Sequence, residues 1–323
     1  MKLLTIFRRS VAAMALGLCS SWALAAYPNQ PIKLIVPFSA AGSTDLVARA
    51  LAAEMSTILG QNIIVDNKPG AGSLIGTELT AKAPADGYTI LMAGLTNVFL
   101  PYIHTTLSWS PIDDFAPIGL VADLPNVIAV NSASPFTSLA DLVKADNASP
   151  GSMSFGSAGI ATPSHLVCEM INVKSNMKLV HVPYKGNAPA VNDLMAGHIP
   201  VMCNNMGGTL PYMSSGKIRI LAQTGKSRSP AAPEVPTFSE LGISGLEAGL
   251  WMGWVAPKAA PEDVLSTLNQ ALVKALAMPA LKEKLAKLGA APLNPAKAAF
   301  DERVRTDKKA WDPVIKTLKL TKN

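Results

Sequence analysis

Six consecutive residues without a bulky side chain lie between two patterned segments near the start of this sequence. Residues 32–36 alternate apolar positions as a buried strand does, and residues 46–59 carry apolar side chains at helical spacing. The start of a helix leaves backbone N–H groups unpaired and carries a partial positive charge, which favours anion binding. We therefore predict a carboxylate-binding loop, comprising Ser39, Ala40, Ala41, Gly42, Ser43 and Thr44.

This loop does not have the pattern of a nucleotide site, because it matches neither GxxxxGK[ST] nor GxGxxG. Asp45 follows the loop directly and would repel a bound anion. We expect its carboxylate to accept hydrogen bonds from N–H groups of the loop instead.

The same order of strand, small-residue loop and helix start occurs again at residues 154–170, which include GSAGIATPSHLVCEM. Thr162 suits the N-cap of the helix, Pro163 its first position and His165 its first turn. His165 is either a polar residue of that turn or part of a ligand cleft.

Further small or polar residues follow other predicted strands. Since the carboxyl ends of parallel strands meet at one edge of a sheet, we expect these residues to converge there. Tyr184 is either a pocket wall or part of a structural turn, and Asn204 is either a pocket residue or a turn former. The residues are Gly70, Ala71, Gly72, Thr96, Tyr184 and Asn204.

The chain offers no convincing catalytic or metal-binding set, so we predict a protein that is not an enzyme and has no cofactor. Ser164 and His165 are adjacent on a predicted helix and cannot face each other. No carboxylate is evidently placed to orient the imidazole, and the four histidines show no metal-ligand spacing. Cys168 and Cys203 remain after the leader is removed, either as a disulfide or as two buried thiols.

Residues 1–25 have the composition of a signal peptide: a basic start, a short apolar run and an AxA site ending at Ala25. We place the cleavage before Ala26. The rival is a lipoprotein anchor at Cys19, but Leu18 precedes it where a small residue is expected. No later stretch is long and apolar enough to span a membrane, so we predict an exported, soluble, periplasmic protein.

Charge and composition narrow the class of protein further. The formal net charge of +6 falls to +3 once the leader with its three basic residues is removed. Without a basic stripe, nucleic acid is not an expected partner. The 49% hydrophobic and 15% charged content indicates a compact globule, and the length predicts two lobes.

Strands alternate with helices along the chain, which predicts an α/β protein with a mostly parallel sheet in each lobe. We assign residues 26–122 and 225–323 to lobe 1, and residues 123–224 to lobe 2. The chain would then cross between the lobes near Pro125 and again near residues 223–226.

Seven segments in order along the mature chain resemble the periplasmic receptors of tripartite tricarboxylate transporters, the Bug receptors. The segments are YPNQPIKLIVPFSAAGSTDLVAR, VDNKPGAGSLIG, APADGYTILM, FGSAGIATPSHL, VHVPYKGNAPAVNDLMAGHIPVM, EVPTFSELGI and WMGWVAPKAAP. The resemblance implies a two-lobed periplasmic binding protein of type II, a Venus flytrap with two crossing strands as its hinge. It also implies a monomer that binds a small carboxylate and delivers it to integral-membrane subunits of the transporter.

In this family the carboxylate lies between the two small-residue loops, with ordered waters bridging it to both. The resemblance assigns donors to residues 39–44 in lobe 1, and to Ser157, Gly159 and Thr162 in lobe 2. Two residues depart from the family pattern: Ala41 stands where a glycine is usual, and Asn204 stands where many members have aspartate. The missing aspartate favours a carboxylate without an amino group.

Two other functions remain open from the sequence. A secreted enzyme on the same two-lobed fold would turn over a small carboxylate, whereas a receptor would bind it without forming a product. A carboxylate sensor would serve a signalling protein rather than a transporter.

Overall fold

The computed structural model describes residues 27–104, 106–160, 162–184, 186–246 and 249–317. The predicted signal peptide at residues 1–25 lies outside the described residues. The strands, numbered in chain order, are β1 Ile32–Val36, β2 Ile63–Asn67, β3 Thr89–Gly94, β4 Phe115–Leu124, β5 Asn126–Asn131, β6 Ser154–Ser157, β7 Val180–Pro183, β8 Val201–Asn205, β9 Ile218–Gln223, β10 Leu250–Pro257 and β11 Ala291–Pro292. The helices are α1 Ser43–Leu59, α2 Leu74–Ala81, α3 Leu95–Ile103, α4 Leu139–Ala148, α5 Pro163–Lys174, α6 Asn187–Ala196, α7 Met206–Ser214, α8 Glu262–Ala277, α9 Pro279–Lys287 and α10 Lys297–Thr317.

The first sheet has six strands in the order β11-β4-β10-β3-β1-β2. Strands β2, β1 and β3 pair in parallel, as their alternation with helices predicts. Strand β10 then pairs antiparallel with both β3 and β4, and β11 pairs antiparallel with β4. The α/β class is confirmed, but this sheet is mixed rather than mostly parallel.

The second sheet has five strands in the order β7-β6-β8-β5-β9. Its β6, β7 and β8 strands are parallel, whereas β5 runs antiparallel to its neighbours β8 and β9. This sheet is therefore mixed too. Strands β5 and β10, each the first strand after a crossing between the sheets, run antiparallel to both of their neighbours.

The two sheets are joined where the chain crosses between them. Strand β4 ends at Leu124 in the first sheet, and β5 begins at Asn126 in the second, with Pro125 between them. The return crossing runs from β9, which ends at Gln223, to β10, which begins at Leu250. Strand β4 thus extends two residues beyond the predicted lobe boundary at residue 122.

The core contains Trp251 and Trp254, which belong to two different hydrophobic clusters on β10, a strand buried along its whole length. One hydrophobic cluster includes β10 residues of the first sheet together with β5, β6 and α5 residues of the second. Among the described residues, no single helix is long and apolar enough to span a membrane, although α8 and α9 pass that test as a pair bent by 76°.

Candidate functional site

In each sheet, the carboxyl ends of the parallel strands lie on the side where the chain crosses to the other sheet. On the first sheet, the carboxyl ends of β1, β2 and β3 share an edge with the end of β4 and the start of β10, as the register Leu250 to Leu124 shows. On the second sheet, the carboxyl ends of β6, β7 and β8 share an edge with the start of β5. The loops predicted to bind the ligand all follow strands at these two edges.

Loop 1, residues 37–42, connects β1 to α1. Gly42 is the N-cap of α1, so neither Thr44 nor Asp45 caps the helix. Residues 39–42 are exposed, while Thr44 in the first turn is only 7% exposed. Within the described part of the chain, the amides of Ser39, Ala40 and Gly42 have no hydrogen-bond partner.

Asp45 anchors loop 1 from beneath. Its carboxylate accepts hydrogen bonds from the Ala41 amide at 2.9 Å, from Arg49 Nε at 2.9 Å and from Asn67 Nδ2 at 2.9 Å. Burial raises the pKa of Asp45, but these hydrogen bonds outweigh burial and leave the pKa below its usual value. The expectation that Asp45 binds an N–H group of its own loop agrees with this geometry.

Ala41 adopts a left-handed backbone conformation with φ of 62°. A side chain in this region costs roughly 1 kcal/mol, whereas glycine adopts it freely. This is the position at which the resemblance expects glycine, so loop 1 keeps the glycine conformation with an alanine in it.

We therefore expect Ala41→Gly to raise the free energy of unfolding, by up to about 1 kcal/mol after the greater freedom of glycine in the unfolded chain is subtracted. Urea denaturation measures the change. Ala40→Gly is the matched control: Ala40 is not among the residues of positive φ, so glycine there should only destabilise. Equal effects of the two variants would contradict the role of the Ala41 backbone.

Loop 2, residues 68–73, has left-handed backbone at Ala71, Gly72 and Ser73, after Gly70 with φ of 132°. Residues Ala71–Ser73 form a single 3-10 turn before α2. A strained backbone conformation persists only where surrounding contacts hold it, and such residues cluster at ligand sites. Here Thr77 Oγ1 donates to the Ser73 carbonyl at 2.8 Å.

The β3–α3 turn adjoins loop 2 through a second polar contact. Asn97 Nδ2 donates to Thr77 Oγ1 at 3.2 Å, and Asn97 Oδ1 accepts from the Gly94 amide at 3.0 Å. Gly94 has no room for a side chain, because a Cβ there would lie 2.6 Å from the Trp251 carbonyl oxygen. Thr96 is 2% exposed in the first turn of α3.

Loop 3, described at residues 158–160 and 162, follows β6 and precedes α5, and hydroxyl groups of Ser157, Thr162 and Ser164 bind its backbone. The Ala158 amide donates to Ser164 Oγ at 3.1 Å, and the Gly159 amide donates to Ser157 Oγ at 3.1 Å. Thr162 occupies the N-cap of α5 as predicted, but its hydroxyl donates to the Gly159 carbonyl at 2.7 Å instead of capping the helix. The amides of Ile160 and Ser164 have no partner among the described residues.

The side chains of Ser157 and His165 lie beneath loop 3. Ser157 is fully buried, with its Oγ 2.7 Å from His181 Nε2. His165 is 5% exposed, and its ring stacks on His181 with centroids 3.8 Å apart. His181 was not among the residues predicted for the site. It lies inside strand β7, and the sequence does not indicate that this strand pairs with β6 and brings His181 next to Ser157.

Tyr184 and Asn204 both make contacts within the second sheet and its helices. The Tyr184 hydroxyl donates to Asp193 Oδ2 at 2.7 Å, and burial together with this contact raises the pKa of Tyr184 to about 12. Asn204 is fully buried, and its Oδ1 accepts from the Asn205 amide at 2.8 Å. Its Nδ2 has no partner in the described structure.

Asn205, which sequence analysis passed over, connects the two edges directly. Its Oδ1 accepts a hydrogen bond from Ser43 Oγ at 2.7 Å, and also one from the Gly208 amide at 2.8 Å as the N-cap of α7. The first contact crosses from the start of α1 to the end of β8. Loop 1 and the second sheet therefore meet at this point.

Cys168 on α5 and Cys203 on β8 form a disulfide, with their Cα atoms 5.8 Å apart. The bond ties the helix that follows loop 3 to the strand that ends at Asn205. Among the described residues, no group of three or more histidine, cysteine or acidic side chains could hold a metal ion. Ser164 Oγ accepts from the loop 3 backbone, consistent with a structural side chain rather than a nucleophile.

Comparison with known proteins shows the family of this chain. The family model described as the tripartite tricarboxylate transporter family receptor matches residues 47–320. The chain belongs to this receptor family. The expectation drawn from the sequence segments is confirmed.

Three solved structures of similar proteins show how closely the fold of this receptor agrees with theirs. The periplasmic binding protein BugD is 36% identical, with a TM-score of 0.82, and covers 92% of this chain and 100% of its own. A Rhodopseudomonas palustris protein solved with adipate is 31% identical, with a TM-score of 0.84 over 90% of this chain and 98% of its own. MatC from the same organism, with bound malate, is 29% identical, with a TM-score of 0.81 over 90% of this chain and 100% of its own. The two-lobed periplasmic binding fold is thereby confirmed.

Proposed function

We propose that this receptor binds one small carboxylate between the two sheet edges and presents it to the membrane subunits of a tripartite transporter. The observation that carries the proposal is a set of backbone amides on both edges without a hydrogen-bond partner among the described residues. They are those of Ser39, Ala40 and Gly42 in loop 1, and of Ile160 and Ser164 at loop 3. A carboxylate leaving water must regain its hydrogen bonds, and amides at two helix starts can supply them without a fixed cation. The similar proteins solved with adipate and malate support this class of ligand.

Binding would be coupled to closure of the two lobes, which we assign to residues 26–122 with 225–323 and to residues 123–224. A ligand that contacts both edges stabilises the closed form, and a membrane partner that recognises only this form detects occupancy. Moving the closed form from 1% to 99% needs a preference of about 10⁴-fold. The Ser43–Asn205 hydrogen bond supports contact between the edges on closure.

The family places the protein in the periplasm, and we propose that residues 1–25 are cleaved during export to give a monomer. Asn204 contributes no charge at the position where many members have aspartate. We therefore propose a ligand without an amino group, such as a dicarboxylate or a hydroxy acid.

The loop 1 assignment predicts that Thr44→Val weakens carboxylate binding roughly 10- to 100-fold, because a hydrogen bond to a charged group contributes about 1.5–3 kcal/mol. The substitution keeps the shape of the side chain. Calorimetric titration with malate, adipate and citrate, on protein first unfolded and refolded to remove retained ligand, gives the affinities.

Thr57→Val is the control, since Thr57 lies at the other end of α1 and its hydroxyl donates to the Ala53 carbonyl. It should bind as the wild type does. Unchanged affinity in Thr44→Val would count against loop 1 as the site. Failure of the wild type to bind any carboxylate, or conversion of one into a product, would overturn the receptor function itself.

A further inference from the structure

The rings of Phe155, His165 and His181 pack together beneath loop 3. The ring of His181 on β7 packs against Phe155 on β6, at 4.9 Å between centroids, and against His165 on α5, at 3.8 Å, while Phe155 and His165 are 6.3 Å apart. The ring planes differ by 25° and 18°. The His181 imidazole is therefore held by ring contacts from two different elements, β6 and α5.

The edge of that imidazole is joined to loop 3 by two consecutive hydrogen bonds. His181 Nε2 lies 2.7 Å from Ser157 Oγ, and Ser157 Oγ accepts the Gly159 amide at 3.1 Å. A hydroxyl has one proton and two lone pairs. Its two possible acceptors are the Gly159 carbonyl at 3.2 Å and, closer, His181 Nε2 at 2.7 Å. When its proton goes to the imidazole nitrogen, its lone pairs are turned toward donors such as the Gly159 N–H.

The surroundings of His181 keep its imidazole neutral, as this hydrogen bond requires. Burial, followed by the neighbouring His165, lowers the pKa of His181 to about 3. His165 in turn lies 3.7 Å from Glu169 Oε1, so the carboxylate faces the outer ring of the stack. In the tautomer that carries its proton on Nδ1, the neutral His181 imidazole thus offers Nε2 as an acceptor to Ser157.

The Gly159 contact decides which amides of loop 3 remain for a ligand. Gly159 has φ of 129°, and a Cβ there would lie 3.0 Å from the Tyr184 carbonyl oxygen. The Ala158 and Gly159 amides donate to Ser164 and Ser157, and the amides of Ile160 and Ser164 have no partner in the part of the chain that the structure describes. Without the contact to Ser157 Oγ, the Gly159 amide would lose its partner and the backbone of the loop would no longer be held in this conformation.

We propose that His181 is a positioning residue of the carboxylate site, which orients the Ser157 hydroxyl and through it sets the conformation of loop 3. The inference rests on the proposed function, because it concerns the same ligand. It adds a residue that touches no ligand and yet determines affinity. The role does not depend on loop 1.

Calorimetric titration of four variants with malate and adipate tests the inference. His181→Phe keeps a ring in the stack but loses the nitrogen, and should bind whichever acid the wild type binds about tenfold more weakly, as expected for one hydrogen bond. His181→Gln restores a polar group and should recover part of the affinity. Ser157→Ala should match His181→Phe, and the double variant should be no weaker than either, since both remove one connected contact.

The matched control is His198→Gln, because His198 is exposed and bonds only to Asp193 among the described residues. It should bind as the wild type does. Additive losses in the double variant, or wild-type affinity in His181→Phe, would overturn the positioning role while leaving the receptor function intact. If the wild type binds neither these acids nor any other carboxylate, the proposed function fails and the ligand role of His181 fails with it.

Hydrogen exchange of the Gly159 amide in ligand-free protein gives a readout that needs no ligand. Exchange should be slow in the wild type and about tenfold faster in both His181→Phe and Ser157→Ala, with unchanged exchange in the β8 amides. Equal protection of Gly159 in all variants would overturn the inference even if their affinities differ.

Discussion

Reduction of the Cys168–Cys203 disulfide is expected to lower the free energy of unfolding by about 3–4 kcal/mol. The bridge closes a segment of chain with a sequence separation of 35 residues, and cross-linking a segment of that length restricts the unfolded chain by this amount. Urea denaturation with and without a phosphine reductant measures the difference. The protein should begin at Ala26, so that Cys19 does not contribute a thiol.

The double variant Cys168→Ala, Cys203→Ala is the control, because its stability should not respond to the reductant. Titration of the denatured, non-reduced wild type should find no free thiol. A count of two free thiols would show that the disulfide does not form. Both sulfurs are buried, so part of the loss in the double variant will come from the cavity rather than from the missing bond.

The bridge also bears on the site. It connects α5, which begins at the end of loop 3, to β8, which ends at Asn205. Weaker ligand binding in the reduced protein, measured where it is still folded, would show that loop 3 relies on this connection.

Strands and helices that alternate early in the chain were readily predicted. Strand β1 has the bounds expected from its apolar alternation. The sequence pattern predicts the next two strands at residues 62–66 and 88–93, and β2 and β3 each begin and end one residue later. The antiparallel direction of β10 could not be predicted, because it depends on pairing with β3 more than 150 residues earlier in the chain. Local pattern determines that a strand forms, but not which neighbour it joins.

Helices α3 and α7 were missed for a local reason. Helix α3 contains Pro101 and α7 contains Pro211, and α7 also has Gly207 and Gly208 in its first turn. These residues disfavour helices in isolation. Both helices form because tertiary contacts outweigh propensity, as where Met206 and Leu210 pack into a buried cluster.

The position of the three loops at strand ends could be predicted, but the hydrogen bonds within them could not. Loops 1, 2 and 3 were placed correctly at strand ends, since parallel strands share an edge. Which amides are free depends on side chains that return from elsewhere, such as Asp45 to Ala41 and Ser164 to Ala158. The role of individual residues at these edges stays a prediction.

The second large effect is expected in a charged cluster where β4 ends and β10 begins. Arg303 on α10 lies 3.3 Å from Asp307 and 3.9 Å from Asp123 Oδ2, and its guanidinium lies over the Trp251 ring at 5.9 Å. Asp307 is 3% exposed and accepts the indole N–H of Trp251. One cation therefore serves two carboxylates at the point where the chain crosses between the sheets.

We expect Arg303→Met to destabilise the protein by about 3 kcal/mol at pH 8, because it leaves two carboxylates without their cation. Burial raises the pKa of Asp307, and that of Asp123 to about 6, and Arg303 opposes both shifts. Removing Arg303 raises both further. Since a raised carboxyl pKa means that the folded state binds more protons, the stability of the variant should fall as pH rises from about 4 through 7.

Urea denaturation of both proteins at pH 5 and pH 8 tests this, with the larger loss expected at pH 8. Arg305→Met is the matched control: Arg305 is on the same helix, and its partner Glu302 is at 2.6 Å on the exposed surface. Such a surface pair contributes little, so the control should change stability by less than about 0.5 kcal/mol at either pH. Equal losses at the two pH values would contradict the argument, since neutralised carboxylates at pH 5 should no longer need the cation.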